Sequence, residues 1–215
     1  MIPMRLIRSY EQIEYLEALN FMEQYVDLIL SDKAPGCLWL LEHPPTLTAG
    51  TSATDTDLIN TQNIPVHQTN RGGKYTYHGP GQRIVYIMLN LTLLKKDIRY
   101  FVRQLEQWLI NTFKVCGLDT HTNSDRIGIW VYNKENHTEN KIAAIGLRVK
   151  KWICFHGVAI NLNPDLKHFQ NIVPCGIKNH GVTSLEKEGL NITTQQLDEI
   201  LIKEFCKVFG TKIIE

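Results

Sequence analysis

Arg71-Gly72-Gly73-Lys74-Tyr75-Thr76-Tyr77-His78-Gly79-Pro80-Gly81-Gln82 is the stretch around which the rest of the chain is arranged. Its glycines let the backbone turn sharply and let a ligand approach the main chain without meeting a Cβ. A run that only had to turn would be an ordinary hairpin connection and would not need Arg, Lys, Tyr, Thr and His set between the glycines. The lysine is not followed by Ser or Thr at the spacing of a phosphate-binding loop, and the dinucleotide fingerprint is absent. Outward from this stretch, Ile64 to Thr69 reads as a strand leading in and Ile84 to Leu91 as a strand leading out, so a loop hangs between two β segments.

Upstream, Ile13, Leu16, Leu19, Met22, Val26 and Ile29 recur at helical spacing, which predicts an amphipathic helix over residues 10–30. Cys37 to Leu41 is an apolar run of strand length closed by Pro44 and Pro45, and Thr46 to Thr48 forms a second short strand. His43 is read as a strand-end side chain bonded to nearby backbone. Downstream, Ile98, Phe101, Val102, Leu105, Trp108, Leu109 and Phe113 mark a second helix with Gly117 just past its end. Arg126 to Tyr132 is a strand, and residues 133–140 are a polar, exposed loop. A last helix opens at Thr193, with Gln196 as its capping-box partner, and runs to Gly210.

Lys141–Val149 and Trp152–Leu162 read as two strands of a hairpin turning at Lys150-Lys151. With Val149 opposite Trp152, Ala144 faces Gly157 and Ile142 faces Ala159. Ala144, Gly146, Gly157 and Ala159 then leave one patch of sheet almost bare of side chain. Such a patch either forms a groove or admits a closely packed helix. Strict alternation puts Lys141 on the opposite face, unless the regular strand starts after it or a bulge re-aims it.

The chain of 215 residues has no composition break or internal repeat, and it reads as one domain. Its net charge of +1 argues against nucleic-acid binding driven by overall charge. No run approaches the roughly 18 apolar residues of a membrane span, so no membrane partner is expected. Cys37, Cys116, Cys154, Cys175 and Cys206 form no CxxC pair and no metal-ligand spacing, which fits a reducing, cytoplasmic setting and predicts no metal; no cofactor is expected either. Cys175 alone sits on a tight turn, framed by Pro174 and Gly176, where a thiol can be presented; the other four occupy apolar positions.

Three blocks in order, residues 71–82, Lys141-Ile142-Ala143-Ala144-Ile145-Gly146 and Pro174-Cys175-Gly176-Ile177, closely resemble the signatures of the lipoyl(octanoyl) transferases. Residues 41–45, 152–161 and 182–185 extend the resemblance, and Arg83, Ile87 and Ala144 depart from it. It implies an α+β fold like that of biotin and lipoate protein ligases, a mixed, largely antiparallel sheet flanked by helices, with residues 1–215 as a single octanoyltransferase catalytic domain. It implies ATP-independent transfer of octanoyl from octanoyl-acyl carrier protein to a lysine of the lipoyl domains of 2-oxoacid dehydrogenase complexes and of the glycine cleavage H protein. Carried over residue by residue, Cys175 is the acyl-thioester nucleophile and Lys141 its dyad partner. The acyl-binding segments fall on Arg71, Gly72, Gly73, Lys74, Tyr75, Thr76, Tyr77 and His78, on Ala144, Ile145 and Gly146, and on Gly157, Val158 and Ala159. His78 either relays a proton or braces the loop. The rivals are an ATP-dependent lipoate or biotin ligase on the same fold and a non-catalytic module that sequesters acyl chains or their carrier. Arg148, Lys150 and Lys151 at the hairpin tip are the expected docking patch for an acidic carrier.

Overall fold

A computed structural model describes residues 1–134, 137–172 and 181–214. Cys175 lies outside the described residues, as does the rest of segment 173–180. In chain order the elements are β1 (Ile2–Gln12), α1 (Tyr15–Leu30), β2 (Gly36–Glu42), β3 (Thr46–Ala49), β4 (Val66–Gln68), β5 (Tyr75–His78) and β6 (Gln82–Asn90). They continue with α2 (Ile98–Val115), β7 (His121–Asn123), β8 (Arg126–Asn133), β9 (Thr138–Lys150), β10 (Ile153–Asn161), β11 (Gly181–Val182), α3 (Thr194–Phe209) and β12 (Thr211–Ile214).

The large sheet runs β12-β1-β2-β6-β10-β9-β8-β7, with β11 added beside β9; β3 is the centre of a small sheet with β4 and β5. β1 pairs in parallel with β2 and β12, and β11 with β9, while every pairing from β2 through β6, β10, β9 and β8 to β7 is antiparallel. The sheet is therefore mixed and largely antiparallel.

Its central strands are buried on both faces, which is why they read as unbroken apolar runs. Cys37, Trp39 and Leu41 of β2 and Ile84, Tyr86 and Met88 of β6 turn toward α1, meeting Ala18, Met22, Tyr25 and Val26. Leu38, Leu40, Val85, Ile87 and Leu89 turn the other way, toward Phe101, Leu105, Trp108 and Leu109 of α2 and Leu197, Leu201 and Phe205 of α3. Thr193 and Gln196 form the expected capping box of α3, and Gly210 closes it at φ 60°.

Four expectations change; residues 138–140, expected in an exposed loop, are half-buried and begin β9. The first helix starts at Tyr15, because residues 2–12 form β1, a strand in which only Met4 is fully buried. The glycine stretch is not one loop: residues 75–78 are β5, paired with β3. The hairpin turns at Lys151-Trp152, both left-handed at φ 49° and 69°, the form that suits the twist of a two-residue turn. Gly157 therefore lies opposite Gly146 and Ala159 opposite Ala144, two residues from the expected register. A two-residue slip keeps every side chain on its face, so the bare patch survives.

Candidate active site

The patch is one wall of a cavity of about 530 Å³ that meets Tyr15 of α1 and reaches Ile98 and Val102 of α2. Lys141, Ala144, Ile145, Gly146, Gly157, Val158 and Ala159 line it, and so do Arg71, Gly72, Gly73, Lys74, Tyr75, Thr76 and His78 from across the opening. Of the expected binding residues that are described, Tyr77 alone does not: it packs against His168 and Phe169 beneath the small sheet. A Cβ on Gly157 would stand 1.9 Å from the Val85 carbonyl oxygen, so the close approach of β10 to β6 requires glycine there.

Lys141 reaches this wall through a bulge. Ala143 pairs with Ile129 and Lys141 with Trp130, which leaves Ile142 as the extra residue on β9. The bulge reverses alternation and puts Lys141 with Ala144 and Gly146. The lysine is 8% exposed; its Nζ donates to the Ile127 carbonyl at 3.2 Å and lies 4.6 Å from the centre of the Trp130 ring. Gly128, at φ 132°, leaves the room: a Cβ there would come within 3.2 Å of Lys141 Cε and 2.9 Å of the Ala143 carbonyl. The chain returns from segment 173–180 beside this lysine, with Gly181 paired to Asn140, Val182 to Lys141, and the Thr183 N–H bonded to the Lys141 carbonyl at 3.0 Å.

Arg71 is 7% exposed, and its donors go to its own surroundings. Nη2 reaches the carbonyls of Thr48 and Lys74 at 2.7 and 2.9 Å, and Nη1 that of Gly72 at 2.9 Å. The guanidinium holds the glycine stretch in shape while its stem faces Gly146. Lys74 is held by Asp57 at 2.9 Å.

Behind the cavity lies a set of rings. Asn161 Nδ2 donates to the Thr183 carbonyl, which fixes the rest of the chain: Gln82 Nε2 donates to Asn161 Oδ1, and His78 Nδ1–H donates to Gln82 Oε1 at 2.7 Å. His78 is thus held as a neutral imidazole, and burial pushes its pKa down to about 3. His43 follows the same logic, with Nδ1–H donating to the distant Ile13 carbonyl and Nε2 accepting from the Tyr86 hydroxyl at 2.7 Å. Burial takes His43 down to about 4. Tyr15 stacks over His67 and His78.

Two cavity residues, Tyr15 and His156, and Gly128 behind Lys141 are among those the sequence did not single out. Gly128 carried a signal, a glycine inside a strand. Tyr15 looked like an ordinary helix residue. His156 is 2% exposed and left-handed at φ 61° in mid-strand, and its Nε2 is buried without a hydrogen-bond partner. Burial, with Arg71 and Arg148 nearby, takes it down to about 3. A strained, neutral imidazole with an unspent ring nitrogen adds a polar position to the wall of small and apolar residues. Among the described residues no group of three or more His, Cys, Asp or Glu side chains is arranged to hold a metal. Cys37 and Cys154 are sealed in the core, with thiols pushed up to about 12 by burial, and Cys116 rises to about 11 for the same reason. No described helix is long and apolar enough to cross a membrane.

Solved structures with this fold include the bipartite lipoate protein ligase of Thermoplasma acidophilum, with TM-score 0.75 at 14% identity over 100% of this chain and 87% of that one. A lipoate-protein ligase A bound with ATP gives TM-score 0.73 at 16% identity over 100% and 88%. The biotin protein ligase of Aquifex aeolicus gives 0.59 at 12% over 96% and 70%. These show the fold. In sequence, the chain is 48% identical to the octanoyltransferase of the Wolbachia of Brugia malayi over 202 residues, 94% of this chain and 97% of the relative. It is 50% identical to that of Bartonella bacilliformis over 208 residues, 94% and 86%. Residues 14–206 match the lipoyl protein ligase A/B catalytic domain, the family to which this chain belongs.

Proposed function

We propose that the chain is an octanoyltransferase of protein lipoylation. On this reading it moves octanoyl from an acyl carrier protein to a lysine of a lipoyl domain through a thioester on Cys175, without ATP, and residues 1–215 form one catalytic unit. The observation that carries the reading is the placing of Lys141. A bulge and a glycine turn it onto the wall of an apolar cavity, beside the point where the chain returns from the segment containing Cys175. Relatives at about half identity named octanoyltransferase support it.

Donor and acceptor groups sit on two bulky proteins, and a covalent intermediate lets each dock in turn. In the first half-reaction the Cys175 thiolate attacks the thioester carbonyl. The bond to the donor sulfur breaks, and the departing thiolate takes a proton. In the second, the acceptor amine attacks the Cys175 thioester, an amide forms, and the cysteine thiolate leaves. Lys141 as an ammonium favours the thiolate; unprotonated, it accepts the proton the amine loses. Octanoyl lies along Ala144, Gly146, Gly157 and Ala159, where small residues leave room, and each buried methylene contributes about 0.8 kcal/mol.

The test is transfer from octanoyl-carrier protein to a lipoyl domain with and without ATP. Amide formation without ATP, abolished in Cys175→Ala, is the expected result. Transfer that requires ATP would assign the chain to ligase chemistry instead, and full activity in Cys175→Ala would remove the covalent step through this residue.

A further inference from the structure

The geometry points to a docking surface for the acidic acyl carrier at the N-terminal end of α2, formed by Lys95, Lys96, Arg99 and Arg103 beside the cavity mouth. This rests on the octanoyl-transfer reading above and names where its donor binds.

The hairpin tip does not offer the expected free basic patch. Arg148 is paired with Glu23 at 3.2 Å and Lys150 with Asp27 at 2.7 Å, both on α1. Lys151 alone of the three is left without an ion pair among the described residues. A cluster of four basic residues sits at the start of α2. Lys95, Lys96, Arg99 and Arg103 are all exposed, and among the described residues none of them forms an ion pair. Lys96 lies 5.0 Å from the Trp152 ring centre and Lys95 5.3 Å from that of Tyr100, both held over aromatic faces rather than against carboxylates.

Helix energetics argue against this arrangement unless something else rewards it. A helix N-terminus carries partial positive charge and favours acids. Here two lysines precede the cap and an arginine sits in the first turn. Arg99 and Arg103 also repel at i, i+4 spacing. Asp97, the acid among them, accepts the Tyr100 N–H at 3.0 Å and attracts Lys95 and Arg103, and Glu106 attracts Arg103 from one turn on. Two nearby carboxylates offset part of this cost but form no ion pair with the four cations, and an acidic partner supplies the balancing charge.

Position selects the partner. Ile98 and Val102, on the neighbouring stripe of the same helix, line the cavity with Ile127 of the opposite lip. Ile98 is 43% and Ile127 55% exposed, so the mouth has an apolar edge flanked by the cations, with Asp125 beyond. Ile127 is also the residue whose carbonyl holds Lys141, which puts the patch at the reactive end of the cavity. A surface to the side of a mouth suits a partner whose thioester arrives on an extended arm. An acceptor lysine, carried directly on its domain, needs that domain over the mouth itself.

The experiment uses Lys95→Glu/Lys96→Glu/Arg99→Glu with two donors, octanoyl-carrier protein and uncharged octanoyl-pantetheine, over a salt series. Acids at a helix N-terminus do not weaken the helix, so the variant's thermal midpoint is expected to hold. The expected result is a KM for the carrier donor raised about tenfold or more, with kcat within about twofold and the pantetheine donor unchanged. Salt should weaken the wild type toward the variant. Equal losses for the two donors, an unchanged KM for the carrier donor, or a raised KM for the lipoyl-domain acceptor alone would overturn the docking assignment while leaving octanoyl transfer intact. No transfer by the wild type from either donor would overturn the transfer reading and the docking surface with it.

Discussion

Ile142 turns a regular strand into a site. As the extra residue of β9 it reverses the side-chain order, so Lys141 joins the small-residue wall instead of the far face. Gly128 makes that position tenable, because any side chain there meets Lys141 and the Ala143 carbonyl. Gly128→Ala is expected to displace the lysine, lowering kcat by about tenfold to a hundredfold while KM for the donor changes little. Steady-state kinetics checks this, and a change confined to KM would contradict it. Arg83, a departure from the family pattern, is explained by a residue far along the chain. Its guanidinium makes two bonds to Asp198 on α3, at 2.8 and 2.7 Å, with both side chains 1% exposed. Asp198→Ala leaves a buried charge unpaired and should cost about 3–5 kcal/mol in urea unfolding, far more than an apolar replacement of both partners.

At the scale of elements, the β9–β10 hairpin shows where sequence reading stops. Its turn residues, Lys151 and Trp152, carry none of the Asn-Gly chemistry that marks such a turn, so the register was read two residues out. Lys151→Gly removes the penalty of a left-handed φ and should stabilise the protein by about 1 kcal/mol in denaturant melts; a loss of stability would contradict the turn geometry. The long helices were legible because their buried faces repeat at helical spacing, and α3 shows both of its expected end signals. β1 was not, because it is only partly covered and its exposed positions mix Pro3 and Tyr10 with Arg5, Glu11 and Gln12, so nothing alternates cleanly. The bare patch was legible from small residues alone, but not whether it would be a groove or receive a helix. His156 was not, because a left-handed backbone and an unpartnered nitrogen leave no trace in residue type. The Arg83–Asp198 pair joins β6 to α3, and nothing local marks either partner for the other.

For the whole molecule, three buried histidines tie the fold to pH. His43, His78 and His156 have folded pKa values near 4, 3 and 3, below the ordinary imidazole value, because burial disfavours their charged forms. Between those values and about 6.5 the unfolded chain binds more protons than the fold. Their contribution is therefore fully present above about pH 6.5 and falls progressively as the pH drops toward about 3 to 4. Each should contribute about 1 kcal/mol of loss between roughly pH 6.5 and 5.5. Urea melts across that window check it. His156→Asn, which tolerates the left-handed backbone, should flatten the slope by one histidine's share; an unchanged slope would mean that His156 is not held neutral.

The central claim is that octanoyl passes through Cys175, and the most direct measurement is intact mass of the chain after incubation with octanoyl-carrier protein, without ATP and without acceptor. The account predicts one added octanoyl group, mapped to Cys175, removed by a lipoyl domain and absent in Cys175→Ala. An unmodified mass, or octanoyl carried by any other residue, would contradict it.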